Sequence, residues 1–311
     1  METSEMLQKV RKIEIKARGL SQNIFAGQYH TAFKGRGMAF SEVREYQYGD
    51  DVRDIDWNVT ARFHHPYVKV FEEERELTVM LLVDVSGSLD FGTTVKTKRE
   101  LATEIAATLA FSAIQNNDKI GVVFFSDHIE KYIPPKKGRK HILYIIREML
   151  NFRAESSRTN VTNAVEFLTR VMKRRCTAFL LSDFYERGIG EGSGANSARQ
   201  AKSKGSERRA ALENALLIAN KKHDFIALQI YDRRAKDMPD VGLVKVRDAE
   251  TGHEMFIDTS DSRLRRAHAD YWNARQTQLQ QIFSKSNIDS ISVSTNDDYV
   301  KSLMLLFAKR T

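Results

Sequence analysis

The chain has 311 residues, of which 41% are hydrophobic and 29% are charged, and its formal net charge is +8. This composition excludes collagen-like, low-complexity and wholly disordered proteins, and the length is typical of about two domains. The single cysteine, Cys176, excludes an intramolecular disulfide framework and a four-cysteine zinc site, and it favours a reducing compartment. The first twenty residues are dense in charge and contain no apolar run, so we expect a cytoplasmic protein without membrane insertion.

The first 75 residues predict an extension that precedes the main domain. Apolar residues at helical spacing predict an amphipathic helix over residues 5–18. Residues 20–75 are predicted to be irregular, with short β segments such as 67–71. We expect this extension, residues 1–75, to pack on a main domain formed by residues 76–311.

The main domain alternates strands with helices. Strands are predicted at 77–83, 119–126, 177–181, 225–230 and 288–293, with hairpin arms at 129–133, 242–246 and 253–257. Helices are predicted at 95–116, 139–151, 160–173, 207–221 and 261–285, before a last helix that Asn296 caps. Near-continuous apolar strands that alternate with long helices predict an α/β fold, a doubly wound and mostly parallel sheet with helices on both faces, as in Rossmann-like proteins.

Two segments of the main domain depart from this alternation. Pro134 and Pro135 are expected to end the hairpin arm at 129–133, because proline cannot donate to a strand ladder. Residues 186–206 are rich in glycine and serine and poor in apolar residues, so we expect a flexible surface loop there.

Oxygen-bearing side chains follow two of the buried strands. Asp84, Ser86 and Ser88 come directly after the first strand, Asp183 follows the strand at 177–181, and Thr159 precedes a helix. In open α/β sheets, ligands bind beyond the carboxyl ends of the strands. Carboxylates and hydroxyls suit Mg²⁺ or Mn²⁺ rather than zinc or copper. A structural alternative is that Asp84 and the serines only cap the next helix.

The order Asp84-x-Ser86-x-Ser88, then Thr159, then Asp183 resembles the metal-ion-dependent adhesion site of von Willebrand factor A domains. The resemblance covers residues 76–311. It implies that these five residues hold Mg²⁺, or Mn²⁺ or Ca²⁺, with two carboxylates balancing the divalent charge. A carboxylate of another protein would then replace a water on the ion.

The segment before the first strand carries a second resemblance. The strings that carry it are Gly35–Phe40, Arg44–Tyr46, Gly49–Trp57, Thr60–Arg62 and Phe71–Arg75. With these strings the segment is similar to the domain-of-unknown-function 58 family, whose members join such a segment to a von Willebrand A-like domain. The family resemblance implies an adaptor that works with a MoxR-type AAA+ ATPase or its client, and it implies no catalytic activity.

The same segment contains four aspartates that could form a second metal site, but the arginines interleaved with them favour an ion-pair network. These residues are Asp50, Asp51, Asp54 and Asp56, with Arg44, Arg53 and Arg62.

Together these features predict a non-enzymatic protein-interaction module. A Mg²⁺-dependent phosphohydrolase is the alternative, since an aspartate after a buried strand also begins phosphoaspartyl enzymes. Those enzymes typically place a second aspartate two residues on as the general acid, and Ser86 stands there instead.

A P-loop motif is absent from the sequence, so we expect no ATP hydrolysis by the chain itself. The net positive charge is compatible with a nucleic-acid partner. Because no recognised nucleic-acid-binding motif accompanies the charge, we do not expect nucleic-acid binding.

Overall fold

The computed structural model describes residues 39–72, 77–93, 96–185, 198–250 and 252–310. Within them, residues up to Leu77 belong to a small compact unit and residues from Thr78 onward belong to a larger one. The predicted helix at 5–18 lies outside the described residues. None of the helices in the described part is long and apolar enough to cross a lipid bilayer.

The small unit is a two-stranded hairpin with a helix in its connection. Strand β1 (Ala39–Glu45) pairs antiparallel with β2 (Tyr67–Glu72), and α1 (Trp57–Phe63) lies between them in the chain. The β segment predicted near 67–71 is therefore confirmed, whereas α1 was not predicted.

Aspartates in the small unit serve the local fold. Arg44 donates two hydrogen bonds of 2.8 Å to the Asp50 carboxylate, which confirms this member of the predicted ion-pair network. The bond from Arg44 is the main reason that the pKa of Asp50 lies below its usual value. Asp56 caps α1 and lies 3.5 Å from Lys69 Nζ.

The large unit is built on one six-stranded sheet. Its strands are β3 (Thr78–Asp84), β4 (Lys119–Phe125), β5 (Ile129–Lys136), β6 (Thr177–Ser182), β7 (Asp224–Tyr231) and β10 (Asp289–Ser294), with β8 (Leu243–Arg247) and β9 (Glu254–Asp258) in a separate hairpin. The strand order is β10-β7-β6-β3-β4-β5, and β5 alone runs antiparallel to its neighbour in this sheet. The predicted mostly parallel sheet is confirmed.

Helices flank this sheet on both faces. They are α2 (Lys98–Gln115), α3 (Arg139–Asn151), α4 (Val161–Val171), α5 (Ala198–Lys222), α6 (Arg233–Lys236), α7 (Ser262–Lys285) and α8 (Tyr299–Ala308). Met80 and Leu82 of β3 pack in one core with α4, α5 and α7. Phe179 of β6 meets Phe307 of α8, with ring centroids 6.4 Å apart. Because successive strand residues point to opposite faces, the two cores lie on opposite sides of the sheet.

The hairpin arm predicted at 129–133 is longer than its two following prolines indicated. Strand β5 continues through Pro134 and Pro135 to Lys136. It is an edge strand, and its register against β4 shifts between Ile120 and Val122, opposite the prolines. Edge position and a bulge are the two settings in which a sheet tolerates proline, so the predicted end of this arm was wrong.

Two helix starts also differ from their predictions. Helix α5 begins at Ala198, so residues 198–206 are helical rather than part of the predicted loop, and residues 186–197 lie outside the described residues. Alanine, lysine, arginine and glutamine favour helix even without an apolar stripe. Helix α8 is capped by Asp298, which accepts from Val300 N at 3.1 Å, and not by Asn296.

Candidate functional site

Two adjacent parallel strands bring the predicted carboxylates to one edge of the sheet. Strands β3 and β6 pair in parallel, with Val83 opposite Leu181. Asp84 ends β3 and Asp183 directly follows β6, so both lie at the carboxyl edge. Their side chains are buried, with only 1% of Asp84 and 5% of Asp183 exposed. Both carboxylates therefore need partners inside the protein.

The Asp84 carboxylate is oriented by its own loop and by β6. Ser86 N donates to Oδ1 at 2.9 Å, and Ser182 Oγ donates to Oδ2 at 2.5 Å. Ser86 Oγ and Ser88 Oγ lie 3.1 Å apart, within hydrogen-bond distance. Burial and the nearby negative charge of Asp183 raise the pKa of Asp84 to about 7.

The helix-capping alternative for Asp84 is wrong. Thr97 caps α2 and forms a capping box with Glu100. The short 3₁₀ helix Gly87–Asp90 has Ser86 at its cap position without a side-chain cap bond. The Asp84 loop is thus organised around its own side-chain oxygens rather than around a helix end.

Thr159 lies in a second loop, just before α4. Its side chain is buried, and among the described residues its Oγ1 has no hydrogen-bond partner. The neighbouring Ser157 carbonyl accepts a 3.1 Å hydrogen bond from Gly87 N, which joins this loop to the Asp84 loop. A buried hydroxyl without a partner is costly for the fold, so Thr159 Oγ1 is available to a water or to a ligand atom.

Two buried cations at Asp183 were missed by the sequence analysis. Lys98 Nζ lies 2.5 Å from Asp183 Oδ2, and Arg275 Nη2 donates to the Asp183 carbonyl at 3.0 Å. Burial would raise the pKa of Asp183, but Lys98 and then Arg275 outweigh it and hold that pKa below its usual value. The prediction that two carboxylates balance the charge of one divalent ion therefore left out the positive charges of Lys98 and Arg275.

The sequence does carry a signal for both cations. Lys98 precedes Leu101 by three residues and Ile105 by seven, which places it on the buried face of α2. Arg275 stands four residues before Leu279, on the buried face of α7. A charged residue on the apolar face of a helix needs a buried counter-charge.

The β8–β9 hairpin closes one side of the site. The Ala249 carbonyl lies so close to Gly87 that a Cβ there would stand 2.7 Å from it. Ser157 Oγ donates to the Glu250 carbonyl at 2.7 Å. Thr159 and Glu250 both line a cleft of about 520 Å³, whose lining does not include Asp84, Ser86, Ser88 or Asp183. The Ser157 side of the site is thus contacted by a hairpin residue that lies 93 positions further along the chain.

The family is decided by a comparison over most of the chain. A family model described as "Protein of unknown function DUF58" matches residues 42–278. The chain belongs to the DUF58 family. The predicted resemblance to the domain-of-unknown-function 58 family is therefore confirmed.

Three known proteins illustrate what this DUF58 protein is similar to. The uncharacterized protein Mb1516 of Mycobacterium bovis is 28% identical over 305 residues, which are 97% of this chain and 88% of the relative. BatB from Bacteroides thetaiotaomicron has a solved structure with 14% identity and a TM-score of 0.47, covering 75% of this chain and 98% of BatB. The VWA domain of SpRpn10 has 10% identity and a TM-score of 0.38, covering 74% of this chain and 94% of that domain.

The donor set of this DUF58 protein fits a hard divalent cation. Asp84, Ser86 and Ser88 offer carboxylate and hydroxyl oxygens within one loop, and Thr159 adds a buried hydroxyl without a partner in the described part. Oxygen donors of this kind are the ligands that Mg²⁺, Mn²⁺ and Ca²⁺ prefer. Asp183 differs from the other four because Lys98 already neutralises it.

A second group of possible metal ligands consists of His128 and Glu130 of the β4–β5 hairpin and Glu155 of the segment after α3. His128 Nε2 is 3.6 Å from Glu130 Oε2 and 3.8 Å from Glu155 Oε2. A hydrogen bond to Asp127 and the neighbouring carboxylates raise the pKa of His128, which favours its protonated form in these ion pairs. This group is a useful control in any metal-binding experiment.

Proposed function

We propose that this DUF58 protein is a non-enzymatic interaction module that captures an acidic side chain of a protein partner through a divalent cation. The residues that would hold the cation are Asp84, Ser86, Ser88, Thr159 and Asp183. The observation that carries the proposal is the buried cluster of side-chain oxygens of Asp84, Ser86 and Ser88 at the end of β3, beside Asp183 at the end of the adjacent strand β6. Thr159 Oγ1, which has no partner among the described residues, lies in a second loop that the hydrogen bond from Gly87 N to the Ser157 carbonyl joins to the first.

The residues of the chain have distinct parts in this proposal. When bound, Mg²⁺, or Mn²⁺ or Ca²⁺ in its place, supplies a coordination position that a carboxylate of the partner can occupy. Ser86 N and Ser182 Oγ hold both oxygens of Asp84 in a fixed orientation. Ser86 and Ser88 contribute neutral hydroxyls, so the cation keeps charge with which to attract the partner's carboxylate.

The partner proposed from the family resemblance is a MoxR-type AAA+ ATPase or its client, in the cytoplasm. The phosphohydrolase alternative is not favoured. A general acid would be needed two residues after Asp84, and Ser86 Oγ there is fully buried and contacts Ser88 Oγ. An alkyl hydroxyl is a poor proton donor near neutral pH.

Binding of the cation is tested first, with Mg²⁺ alone as the probe. The wild-type chain, Asp84→Ala and His128→Ala are compared by thermal unfolding with increasing Mg²⁺. At about 100 times the dissociation constant, Mg²⁺ should stabilise the wild type by about 2.7 kcal/mol. We expect the same stabilisation for His128→Ala and none for Asp84→Ala. Equal stabilisation of all three proteins would place the cation elsewhere.

Partner capture is then tested with a purified MoxR-type ATPase. The ATPase should be retained by the wild-type chain in Mg²⁺ and released by EDTA, and it should not be retained by Asp84→Ala. Retention that neither EDTA nor Asp84→Ala changes would contradict a cation-mediated contact.

A further inference from the structure

Lys98 forms a buried ion pair with Asp183. The Lys98 ammonium lies 2.5 Å from Asp183 Oδ2, and only 8% and 6% of the two side chains are exposed. The other oxygen of this carboxylate accepts from Tyr185 N at 3.0 Å. Both oxygens of Asp183 are thus used within the chain.

Two buried cations already stand beside the acidic residues of the site. Lys98 and Arg275 each carry a positive charge next to Asp183, and like Asp84 and Asp183 they are buried. A divalent cation beside these groups would repel the Lys98 ammonium strongly, because buried charges are poorly screened. A cation that uses Asp183 must therefore share this carboxylate with Lys98 or take its place.

Lys98 has a route away from Asp183. Its Nζ lies 5.9 Å from the ring centroid of Phe91, a residue that is 45% exposed. An ammonium is attracted to the face of an aromatic ring, and a lysine stem can rotate while its charged end reaches water. The face of Phe91 thus offers the Lys98 ammonium a second favourable position close to Asp183.

We propose that Lys98 is an internal competitor of the divalent cation. Lys98 holds Asp183 when the cation is absent and moves towards Phe91 when the cation binds, so that it sets the affinity of the site. This inference rests on the proposed function, since it requires that a cation binds at Asp84.

The test is Mg²⁺ and Mn²⁺ titration calorimetry on the full chain with two lysine variants. Lys98→Gln removes the charge but keeps a hydrogen-bond donor for Asp183. Lys96→Gln is the control, because Lys96 pairs with Glu104 at 2.7 Å, away from Asp183. We expect about tenfold tighter binding, or more, by Lys98→Gln than by the wild type, and no change for Lys96→Gln. Equal affinities of Lys98→Gln and wild type would overturn the inference while the cation site itself remained.

A measurement on the wild type covers the case in which Lys98→Gln does not fold. The chain is acetylated with acetic anhydride with and without Mg²⁺, and modified lysines are located by mass spectrometry. Increased modification of Lys98 in Mg²⁺, with unchanged modification of Lys96, is expected. Unchanged modification of Lys98 at a saturating Mg²⁺ concentration would overturn the inference. Absence of Mg²⁺ and Mn²⁺ binding by all variants would overturn both this inference and the proposed cation site.

Discussion

Ser182 Oγ donates a hydrogen bond to Asp84 Oδ2 at 2.5 Å, and this bond joins the ends of β6 and β3. Ser182 Oγ also accepts from Phe184 N at 2.9 Å, at a residue whose φ of 54° is left-handed. One hydroxyl thus fixes the Asp84 carboxylate and the turn that follows β6. The orientation of Asp84 and the position of Asp183 depend on the same side chain.

Ser182→Ala should therefore destabilise the large unit. The substitution removes a donor from a buried carboxylate and an acceptor from a buried N–H, and we expect a loss of about 1–3 kcal/mol. Urea unfolding measures this loss, and Ser206→Ala on the exposed side of α5 is the control, with little expected change. Equal stability of the two variants would show that the 2.5 Å bond does not contribute to the fold.

Gly87→Ala tests the contact between the Asp84 loop and the β8–β9 hairpin. A Cβ at this position would stand 2.7 Å from the Ala249 carbonyl oxygen and 3.1 Å from Ser157 Cβ. The backbone must shift to relieve the first contact, so we expect a loss of stability of about 1–3 kcal/mol. Hydrogen exchange should also become faster at residues 248–254. Unchanged exchange there would mean that the hairpin does not depend on this contact.

The sheet could be predicted from the sequence because its strands are nearly continuous apolar runs. Such runs occur where both faces of a strand are buried, as for β3, β4 and β6. The ends of elements were less predictable. Pro134 lies inside β5 because a bulge and an edge position accommodate it, and both depend on neighbouring strands rather than on local sequence.

The candidate site was predictable only in part, for a similar reason. Asp84 and Asp183 follow apolar strands, so their place at one edge of the sheet follows from strand order. Lys98 reaches Asp183 across 85 positions of sequence, and Arg275 across 92. The buried faces of α2 and α7 indicate that these cations need partners, but only the packing of the helices shows which carboxylate they meet.

His223 should make the stability of the large unit depend on pH. Its Nδ1 lies 3.3 Å from the buried Cys176 Sγ, and burial, with Lys222 and Arg175 nearby, lowers the pKa of His223 from 6.5 to about 4. At a pH between these two pKa values, His223 is protonated in the unfolded chain and neutral in the folded chain. The free energy of unfolding is therefore fully retained above about pH 6.5 and falls as the pH is lowered towards 4. The loss is on the order of 3 kcal/mol.

His223→Gln removes this titration. Urea unfolding of the wild type and the variant between pH 7 and pH 4.5 should show a steeper decline for the wild type. Parallel curves for the two proteins would mean that His223 titrates normally in the folded chain.

Thr159→Val separates a structural role of Thr159 from a ligand-binding role. Valine has nearly the same shape as threonine but lacks the hydroxyl, and Thr159 Oγ1 is buried with no partner in the described part of the chain. If the hydroxyl served the fold, its removal would reduce stability. Because it has no such partner, we expect unchanged stability or a gain of about 1 kcal/mol without Mg²⁺.

The same variant should bind Mg²⁺ about tenfold more weakly, since it removes one oxygen donor from the proposed cation site. Thr103→Val is the matched control, because Thr103 is buried in α2 and its hydroxyl donates to the Arg99 carbonyl at 2.9 Å. Calorimetry should show wild-type Mg²⁺ affinity for Thr103→Val. Wild-type affinity of Thr159→Val as well would remove Thr159 from the cation site and leave its buried hydroxyl without a role in binding.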